Sequence, residues 1–378
     1  MHQVPKGKIA RIEKSILRGT RPRSIGYNAR IPTHGPKISD AVVRLHTADG
    51  AWGLGWSRIA EDGARELLGR DIDELFQLPE GSLETGRIVD LPLWDLVARM
   101  MDLPLYRLLG ARGKRQVELY DGSIYIDDLG VQDEEQVKDI FRAEVASGQE
   151  HGFGNFKVKV GRGARWMPPS EGLERDELVI RTVREAAGPQ AKILIDANMG
   201  NTLNTAICLL DACADVGIYW FEEPFAEDAP LNLALKDHIV ESGWDTLIAD
   251  GEFSPPPNFF DMVEKGFIDV VQHDFRFASL TWWRETAARL EQWGEVHVAP
   301  HTWGSYIERY HHAHFAASTP NYLLLEAAPA ALPGLVEDGW QFTDSILHVP
   351  DTPGVGLDID PEIYAQGLED PDGFSVQL

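Results

Sequence analysis

Acidic residues end three successive apolar runs in the middle of the chain. The first run ends in Asp196, the second in Glu222 and the third in Asp250-Gly251-Glu252. One acid in such a place would usually cap a helix or lie in a solvated loop. Three at the ends of neighbouring buried strands would repel one another strongly unless a cation lay among them. Since hard divalent cations prefer carboxylate oxygens, the pattern predicts a metal site, with Asp250 and Glu252 both open as its third acid.

Two lysines flank a valine in the sequence Lys157-Val158-Lys159, within a short apolar run. The two-residue period of a strand points both ammonium groups to one face, while Phe156, Val158 and Val160 point to the other. Repulsion between the lysines, together with burial, would lower the pKa of one of them enough for it to act as a base near neutral pH. The alternative is a pair of surface lysines on an edge strand, which the apolar neighbours argue against.

Further polar residues follow the later apolar runs. Asp274 ends the sixth run, His301 follows the seventh, and Glu326 ends the eighth. A carboxylate on a neighbouring strand could hold one imidazole nitrogen, fix the tautomer and make the other nitrogen more basic. A lone histidine is more often structural, but His301 would lie opposite the two lysines, which favours a function. Glu326 is a candidate hydrogen-bonding acid.

Histidine and cysteine also occur where no site is expected. His311, His312 and His314 have spacings that suit no common metal site, and we predict that they lie on the surface of a helix. Cys208 and Cys213 fit neither a disulfide framework nor a zinc site. We therefore predict that both are buried structural thiols.

The elements that position these residues alternate regularly between about residue 115 and residue 328. Eight apolar runs alternate there with amphipathic helical stretches, which predicts a (β/α)8 barrel of the α/β class. The carboxyl ends of barrel strands meet at one mouth, so the polar residues that end the runs should converge. The candidate strands are QVELYDGSIY, GNFKVKV, AKILIDANM, IYWFEEPF, TLIADGEF, IDVVQHDF, EVHVAPHTW and NYLLLEAA.

The chain on either side of the barrel has a different pattern. Residues 1–112 indicate an α+β capping domain, in which the turn Ala48-Asp49-Gly50 separates two strands. We assign the barrel to residues 113–330. Residues 331–378 are rich in proline and glycine and too short to fold alone, so we expect this tail to return to the capping domain and complete it.

Composition narrows the classes of partner. The 378 residues carry a formal net charge of −25, which argues against binding to nucleic acid. No apolar stretch is long enough to cross a bilayer, and the first residues lack the apolar core of a signal peptide, so we expect a cytoplasmic protein without a membrane partner. The acidic surface repels anions at long range, so if the small-molecule substrate is a carboxylate, a metal and lysines in the pocket must supply local positive charge. We also expect a homo-oligomer.

Six motifs in this order resemble the mandelate racemase subgroup of the enolase superfamily: KVKVG, IDANMG, WFEEPF, IADGEF, VVQHDF and VAPHTWGS. The resemblance spans nearly the whole chain and implies a barrel with an N-terminal capping domain and a Mg²⁺ cofactor. It implies Asp196, Glu222 and Glu252 as the metal ligands, with Glu252 preferred over Asp250 because a Gly-Glu pair is typical of the racemases and dehydratases. It also implies roles for the remaining polar residues. These are Lys159 as base, Lys157 as its neighbour that tunes the pKa and contacts the substrate carboxylate, His301 with Asp274 as a dyad, and Glu326 as an acid that hydrogen-bonds the enediolate.

Substrate contacts are less sharply defined by the motifs. Relatives often have two glycines soon after the sixth-strand aspartate, where this chain has Phe275-Arg276-Phe277. Arg276 could bind a distal anionic group or pair with surface acids. The resemblance implies that a loop at residues 19–36 closes over the mouth, and the bland alternative is a solvated basic loop. The candidate contacts, with Asn198 beside the metal site, are Arg21, Arg23, Tyr27 and Arg30.

The reaction that this resemblance implies is removal of the proton next to a carboxylate. By analogy with lysine-plus-histidine members, we expect dehydration of an acid sugar, an aldonate or aldarate, to a 2-keto-3-deoxy acid. Racemisation or epimerisation of a 2-hydroxy acid stays open, as does sugar-acid binding without turnover. An amidohydrolase would need His-x-His at the end of the first strand, and a muconate-type cycloisomerase would normally carry a lysine where Asp274 stands.

Overall fold

The computed structural model describes residues 3–253 and 255–378. An antiparallel sheet begins the chain: the first three strands form a meander, and the turn predicted at Ala48-Asp49-Gly50 separates the second from the third. The N-terminal strands are β1 (Ile9–Ile25), β2 (Gly35–Thr47), β3 (Trp52–Trp56), β4 (Phe76–Gln77) and β5 (Gly81–Ser82). The N-terminal helices are α1 (Glu61–Leu67), α2 (Asp90–Met100) and α3 (Leu105–Leu108).

The predicted (β/α)8 barrel is confirmed. Its strands are β6 (Gln116–Ile124), β7 (Phe156–Lys159), β8 (Ile193–Asp196), β9 (Ile218–Glu222), β10 (Leu247–Asp250), β11 (Val270–Val271), β12 (His297–Val298) and β13 (Leu325–Ala327). In the described residues the strands β6 to β12 lie side by side in parallel, and β13 pairs with β6. A parallel bridge between Val298 and Tyr322 joins β12 to the segment before β13 and closes the ring.

Helices surround the barrel. They are α4 (Glu134–Glu150), α5 (Pro169–Ala187), α6 (Leu203–Ala212), α7 (Ala229–Glu241), α8 (Phe259–Glu264), α9 (Phe275–Ala278), α10 (Leu280–Leu290) and α11 (Glu308–Ala316). Their ends follow local signals: Asp133 accepts a hydrogen bond as the N-cap of α4, and Gly188 ends α5 with a φ of +86°. None of the helices that the structure describes is both long and apolar enough to span a membrane.

The C-terminal tail makes two attachments. Its elements are β14 (Leu335–Val336), β15 (Gln341–Thr343), β16 (Ile346–His348), β17 (Asp358–Ile359), α12 (Pro361–Leu368) and β18 (Phe374–Gln377). The last strand, β18, pairs with β1 and extends the N-terminal sheet. An earlier strand, β16, pairs antiparallel with the start of β6, so part of the tail is attached to the barrel as well.

Two apolar layers hold the site in place. Phe156 and Val158 pack outward into the core shared with the helices, while the facing side of β7 carries the two lysines. Inside the barrel a small apolar cluster lies across the strands, and it includes Tyr120, Leu194 and Trp220. Polar side chains at the strand ends therefore rest on a packed apolar floor, as the alternation of β7 predicts.

Two predictions about isolated residue types are wrong. The side chains of His311, His312 and His314 are fully buried rather than on a helix surface, because α11 lies between the barrel and the capping domain. Cys213 is buried as predicted, but Cys208 is exposed, because only one face of α6 packs against the barrel.

Candidate active site at the barrel mouth

The three predicted metal ligands are buried together at the carboxyl ends of the strands. Asp196 and Glu222 are the last residues of β8 and β9, and Glu252 follows β10 by two residues. Glu222 Oε2 accepts hydrogen bonds from Trp220 Nε1 at 3.2 Å and Gln272 Nε2 at 3.0 Å. Glu252 Oε2 is buried and has no hydrogen-bond partner in the described part of the chain. One of the three carboxylates thus has an oxygen free for a ligand.

The backbone directly after β8 and β9 is strained. Asn198, Met199 and Glu223 have φ angles of +44°, +60° and +40°, in the left-handed region that side chains other than glycine disfavour. Such residues persist where the surroundings hold them, and they cluster at functional sites. Asn198 Nδ2 donates to Glu223 Oε2 at 3.1 Å, while its Oδ1 is buried without a partner. Glu223 was missed as a site residue, although it adjoins Glu222 in the motif.

Asp250 and Glu252 have different surroundings. Asp250 Oδ1 accepts from the backbone N–H of Gly251 at 2.9 Å, and its other oxygen is buried without a partner among the described residues. Glu252 Oε1 lies 3.2 Å from His301 Nε2. Burial, and then the negative charges of Glu227 and Glu223, raise the pKa of Asp250 well above its ordinary value. Glu252 is therefore the acid that adjoins the candidate catalytic groups.

The two lysines of β7 are held by carboxylates. Lys157 is fully buried, and its Nζ lies 2.7 Å from Glu222, 2.8 Å from Glu326 and 3.3 Å from Asp196. Lys159 Nζ donates to Asp196 Oδ2. Burial lowers the pKa of each lysine, but the carboxylates raise it more, so both pKa values are raised. With the charges of the protein alone, the prediction of a lowered lysine pKa is therefore wrong, because attraction to the carboxylates outweighs repulsion between the two lysines.

His301 and Asp274 form the predicted dyad. His301 Nδ1 lies 2.9 Å from Asp274 Oδ2, which accepts its hydrogen bond and leaves Nε2 facing Glu252. Burial lowers the pKa of His301, but the charge of Glu252 and the hydrogen bond to Asp274 raise it further, to about 9. The imidazole is accordingly poised to give a proton at neutral pH in this arrangement of charges.

Glu326 lies between Lys157 and His301. Its Oε1 contacts Lys157, while Oε2 accepts from the backbone N–H of Thr302 at 3.1 Å and lies 3.8 Å from His301 Nε2. Burial raises the pKa of Glu326, but Lys157 and His301 lower it by more, so the net pKa falls. The carboxyl group is thus kept ionised between a lysine and a histidine.

The mouth is rich in negative charge. Among the described residues it holds seven buried acids against three buried groups that can be positive, Lys157, Lys159 and His301. Burial together with neighbouring acids raises the pKa values of Glu222, Glu223 and Asp250. Between residues 3–253 and 255–378, no group of three His, Cys, Asp or Glu side chains is already arranged to hold a metal, because the lysines lie among the acids. The donor chemistry still fits a hard divalent cation, since crowded carboxylates and unpartnered buried oxygens are its preferred ligands. The acids are Asp196, Glu222, Glu223, Asp250, Glu252, Asp274 and Glu326.

Above the mouth, residues 19–25 are strand rather than loop. β1 runs on to Ile25: Gly19 and Thr20 pair with β2, and Ile25 pairs with Gly35 after a register shift, so this hairpin extends over the barrel. Arg21 lines a cleft that also contains Glu326, and its guanidinium lies 4.8 Å from the ring centroid of Trp303. Arg21 Nη1 donates to the carbonyl of Lys37 at 3.1 Å, and Nε is buried with no partner in the described chain. The structure thus places Arg21 beside the site with donor capacity to spare.

The other predicted substrate contacts are occupied elsewhere. Arg23 pairs with Asp127 and Glu144, both at 3.1 Å. Arg276 pairs with Asp274 at 2.5 Å rather than facing an open pocket. Tyr27 packs edge-on against Trp166 with ring centroids 5.0 Å apart, and Arg30 Nη1 lies 3.9 Å from Met199 Sδ.

An aromatic wall, formed by His34, Tyr125 and Trp303, connects Lys159 with Arg21. Lys159 Nζ lies 5.1 Å from the ring centroid of Tyr125, which stacks on Trp303 with centroids 5.2 Å apart. His34 packs edge-on against Tyr125 at 4.8 Å. Trp303 and Tyr125 belong to strand-end motifs and could have been proposed from them, whereas His34 lies in the predicted 19–36 loop but was not singled out there.

The chain is similar to known proteins over most of its length. The chain is similar to a mandelate racemase/muconate lactonizing protein from Geobacillus sp. Y412MC10, complexed with magnesium/tartrate: the TM-score is 0.94 and the identity 33%, over 100% of this chain and 98% of that one. It is also similar to a galacturonate dehydratase from Geobacillus sp., solved with D-galacturonate and 5-keto-4-deoxy-D-galacturonate. The TM-score is 0.93 and the identity 34%, over 99% of this chain and 100% of that one. A D-galactarolactone cycloisomerase of Agrobacterium fabrum is 28% identical over 295 residues, 74% of this chain and 72% of that protein.

The family model described as enolase C-terminal domain-like matches residues 141–363, which is more than half of the chain. This range runs from within α4 to within α12 and contains both lysines, the acids at the strand ends and the His–Asp dyad. The resemblance to the mandelate racemase subgroup is confirmed by the structures that superpose on nearly the whole chain. The protein therefore belongs to the enolase superfamily.

Proposed function

We propose that this protein is an Mg²⁺-dependent acid-sugar dehydratase. It would remove the proton next to the carboxylate of an aldonate, aldarate or related acid sugar and expel the neighbouring hydroxyl as water. The enol that results would tautomerise to a 2-keto-3-deoxy acid. Similar proteins include a galacturonate dehydratase and arabinonate and xylonate dehydratases, which support this reaction class.

The observation that carries the proposal is that two candidate proton-transfer groups, Lys159 and His301, contact different carboxylates of the candidate metal site. Lys159 contacts Asp196, whereas His301 contacts Glu252 and is oriented by Asp274. A substrate held by these acids through a cation would present its α-carbon to both groups. One group can then take the α-proton while the other protonates the departing hydroxyl, so the proton inventory balances.

Residues around the two bases supply charge and orientation. Mg²⁺ bound by Asp196, Glu222 and Glu252 would supply positive charge that stabilises the substrate carboxylate and offsets the attraction of Asp196 for Lys159. Lys157 would add a fixed positive charge beside the substrate carboxylate, and Glu326 would hydrogen-bond it where negative charge develops. Asp274 holds the proton on His301 Nδ1, which leaves Nε2 for proton transfer.

Arg21 is the proposed substrate contact at the far end of the cleft. Its guanidinium has no carboxylate within ion-pair distance in the described residues, in a protein whose net charge is −25. Hydroxyl groups or a second carboxylate of the substrate would use its spare donors. Asn198 would act mainly through Glu223, to which it is bonded.

Racemisation or epimerisation is the second candidate, because two bases on different sides could take a proton from one face and return it to the other. Proton NMR in D₂O with Mg²⁺ separates the two reactions. The substrates would be aldonates, aldarates, galacturonate and simple 2-hydroxy acids. Loss of the α-proton signal with appearance of a 2-keto acid supports dehydration, whereas deuterium incorporation with inversion and no new product supports the alternative.

Variants make the test specific. Lys159→Ala and His301→Ala should each abolish turnover, while His238→Asn, which changes a surface histidine paired with Asp211, should not. Binding of an acid sugar without proton exchange by the unaltered protein would favour a non-catalytic binding role. Turnover that survives both Lys159→Ala and His301→Ala would contradict the proposed roles of these residues.

A further inference from the structure

Arg276 is hydrogen-bonded to Asp274 of the dyad and does not line the cleft that contains Arg21. Its Nε lies 3.1 Å from Oδ1 and 3.2 Å from Oδ2 of Asp274, and Nη2 lies 2.5 Å from Oδ2. Its backbone N–H also donates to Oδ1 at 2.8 Å. The guanidinium and the backbone of one residue therefore hold both oxygens of the aspartate that orients His301.

One oxygen of Asp274 joins the arginine to the histidine. Oδ2 accepts from Arg276 Nη2 and also from His301 Nδ1, at 2.9 Å. A carboxylate held at both oxygens cannot turn away from the imidazole without breaking several charge-assisted bonds. The half-buried guanidinium also helps to keep Asp274 ionised, which the hydrogen bond from Nδ1 requires.

A buried acid lies behind Arg276. Glu308, the first residue of α11, is fully buried, and its Oε2 lies 4.0 Å from Arg276 Nε. Neither carboxylate oxygen of Glu308 has a hydrogen-bond partner in the described residues, so Arg276 is the cation that it faces. Gly304 supplies the space: a Cβ there would lie 2.5 Å from Arg276 Nη1.

We propose that Arg276, supported by Glu308, is a positioning residue that fixes Asp274 and thereby His301. This inference rests on the proposed function and replaces the earlier idea that Arg276 contacts the substrate. The contribution of Arg276 should appear in the proton transfer that depends on His301 and not in substrate affinity.

Steady-state kinetics of Arg276→Met, Arg276→Lys and Glu308→Gln test the proposal. We expect kcat to fall about 10- to 100-fold for Arg276→Met, as for other partners of functional histidines, with KM nearly unchanged. Arg276→Lys should recover part of the loss, and Glu308→Gln should lower kcat less. Arg181→Met, which removes an arginine of α5 paired with Glu177 and Asp215, is the control. A rise in KM with unchanged kcat would overturn the inference and identify Arg276 as a substrate contact.

A spectroscopic measurement needs no substrate and so separates this inference from the proposed function. The proton on His301 Nδ1 should give a low-field NMR signal, assigned by its loss in His301→Gln. It should shift or vanish in Arg276→Met and persist in Arg181→Met. An unchanged signal in a folded Arg276→Met protein would refute the positioning role even if the enzyme had no activity on any acid tested. If Arg276→Met does not fold, Glu308→Gln and Arg276→Lys carry the same readout.

Discussion

Lys157 on the second barrel strand and Glu326 on the last are joined by a contact of 2.8 Å between Nζ and Oε1. Both side chains are buried, and Lys157 also contacts Glu222 and Asp196. The residues are far apart in sequence, and the closure of the barrel brings them together. This ammonium group is therefore the central counter-charge of the mouth, with consequences for both stability and chemistry.

Replacement of Lys157 by methionine should destabilise the protein despite the similar shape of the side chain. Three buried carboxylates would lose their common partner, a change that typically costs about 3–5 kcal/mol. Urea unfolding measures the free-energy difference. Lys138→Met, at a lysine on α4 paired with exposed Glu135, should change stability by less than about 1 kcal/mol. Equal effects of the two substitutions would contradict the central role of Lys157.

Chelation should lower thermal stability, and Mg²⁺ should restore it. A ligand at 100 times its Kd stabilises the folded state by about 2.7 kcal/mol, and here it would also relieve repulsion among the acids. Glu252→Gln and Asp250→Asn form a matched pair for the third ligand. We expect the first to abolish most of the Mg²⁺-dependent stabilisation and the second to retain it, as followed by calorimetry. The reverse result would assign the site to Asp250.

Arg21→Met should weaken binding of acid sugars that are charged at both ends. Loss of a hydrogen bond to a charged group costs about 1.5–3 kcal/mol, which corresponds to a KM about 10- to 100-fold higher for an aldarate. The matched aldonate should show a smaller rise. Arg18→Met, at a surface arginine paired with Asp370, provides the control. Equal rises for both substrates would show that Arg21 contacts hydroxyl groups only.

Stability should fall with acid partly because of His311. Burial lowers the pKa of this imidazole to about 4, whereas an unfolded histidine titrates near about 6.5. As the pH falls through this interval the unfolded chain takes up a proton that the folded protein does not, so stability present above about pH 6.5 is lost towards pH 4, by about 3 kcal/mol. His311→Leu should make the curve of unfolding free energy less steep over this interval. An unchanged slope in His311→Leu would disprove the assignment.

Local patterns in the sequence were sufficient for the architecture and for most of the polar residues at the mouth. Period-two alternation around Lys157 and Lys159 reflects a physical rule that acts over a few residues, and so does the placement of acids at strand ends. The (β/α)8 barrel and the family followed from these patterns, and both are confirmed. The assigned roles of the site residues stay predictions, which the variants above test.

Contacts between residues that are distant in sequence could be known only from the tertiary structure. The charge state of Lys157 and Lys159 depends on their distances from Asp196, Glu222 and Glu326, and no local sequence pattern gives these distances. The burial of His311 depends on the capping domain that covers α11, and the role of Arg276 depends on Asp274 and Glu308 on either side of it. Sequence alone determined which chemical groups reach the mouth. The fold decided which of them touch, and because electrostatic interactions depend on distance and burial, it also decided their protonation.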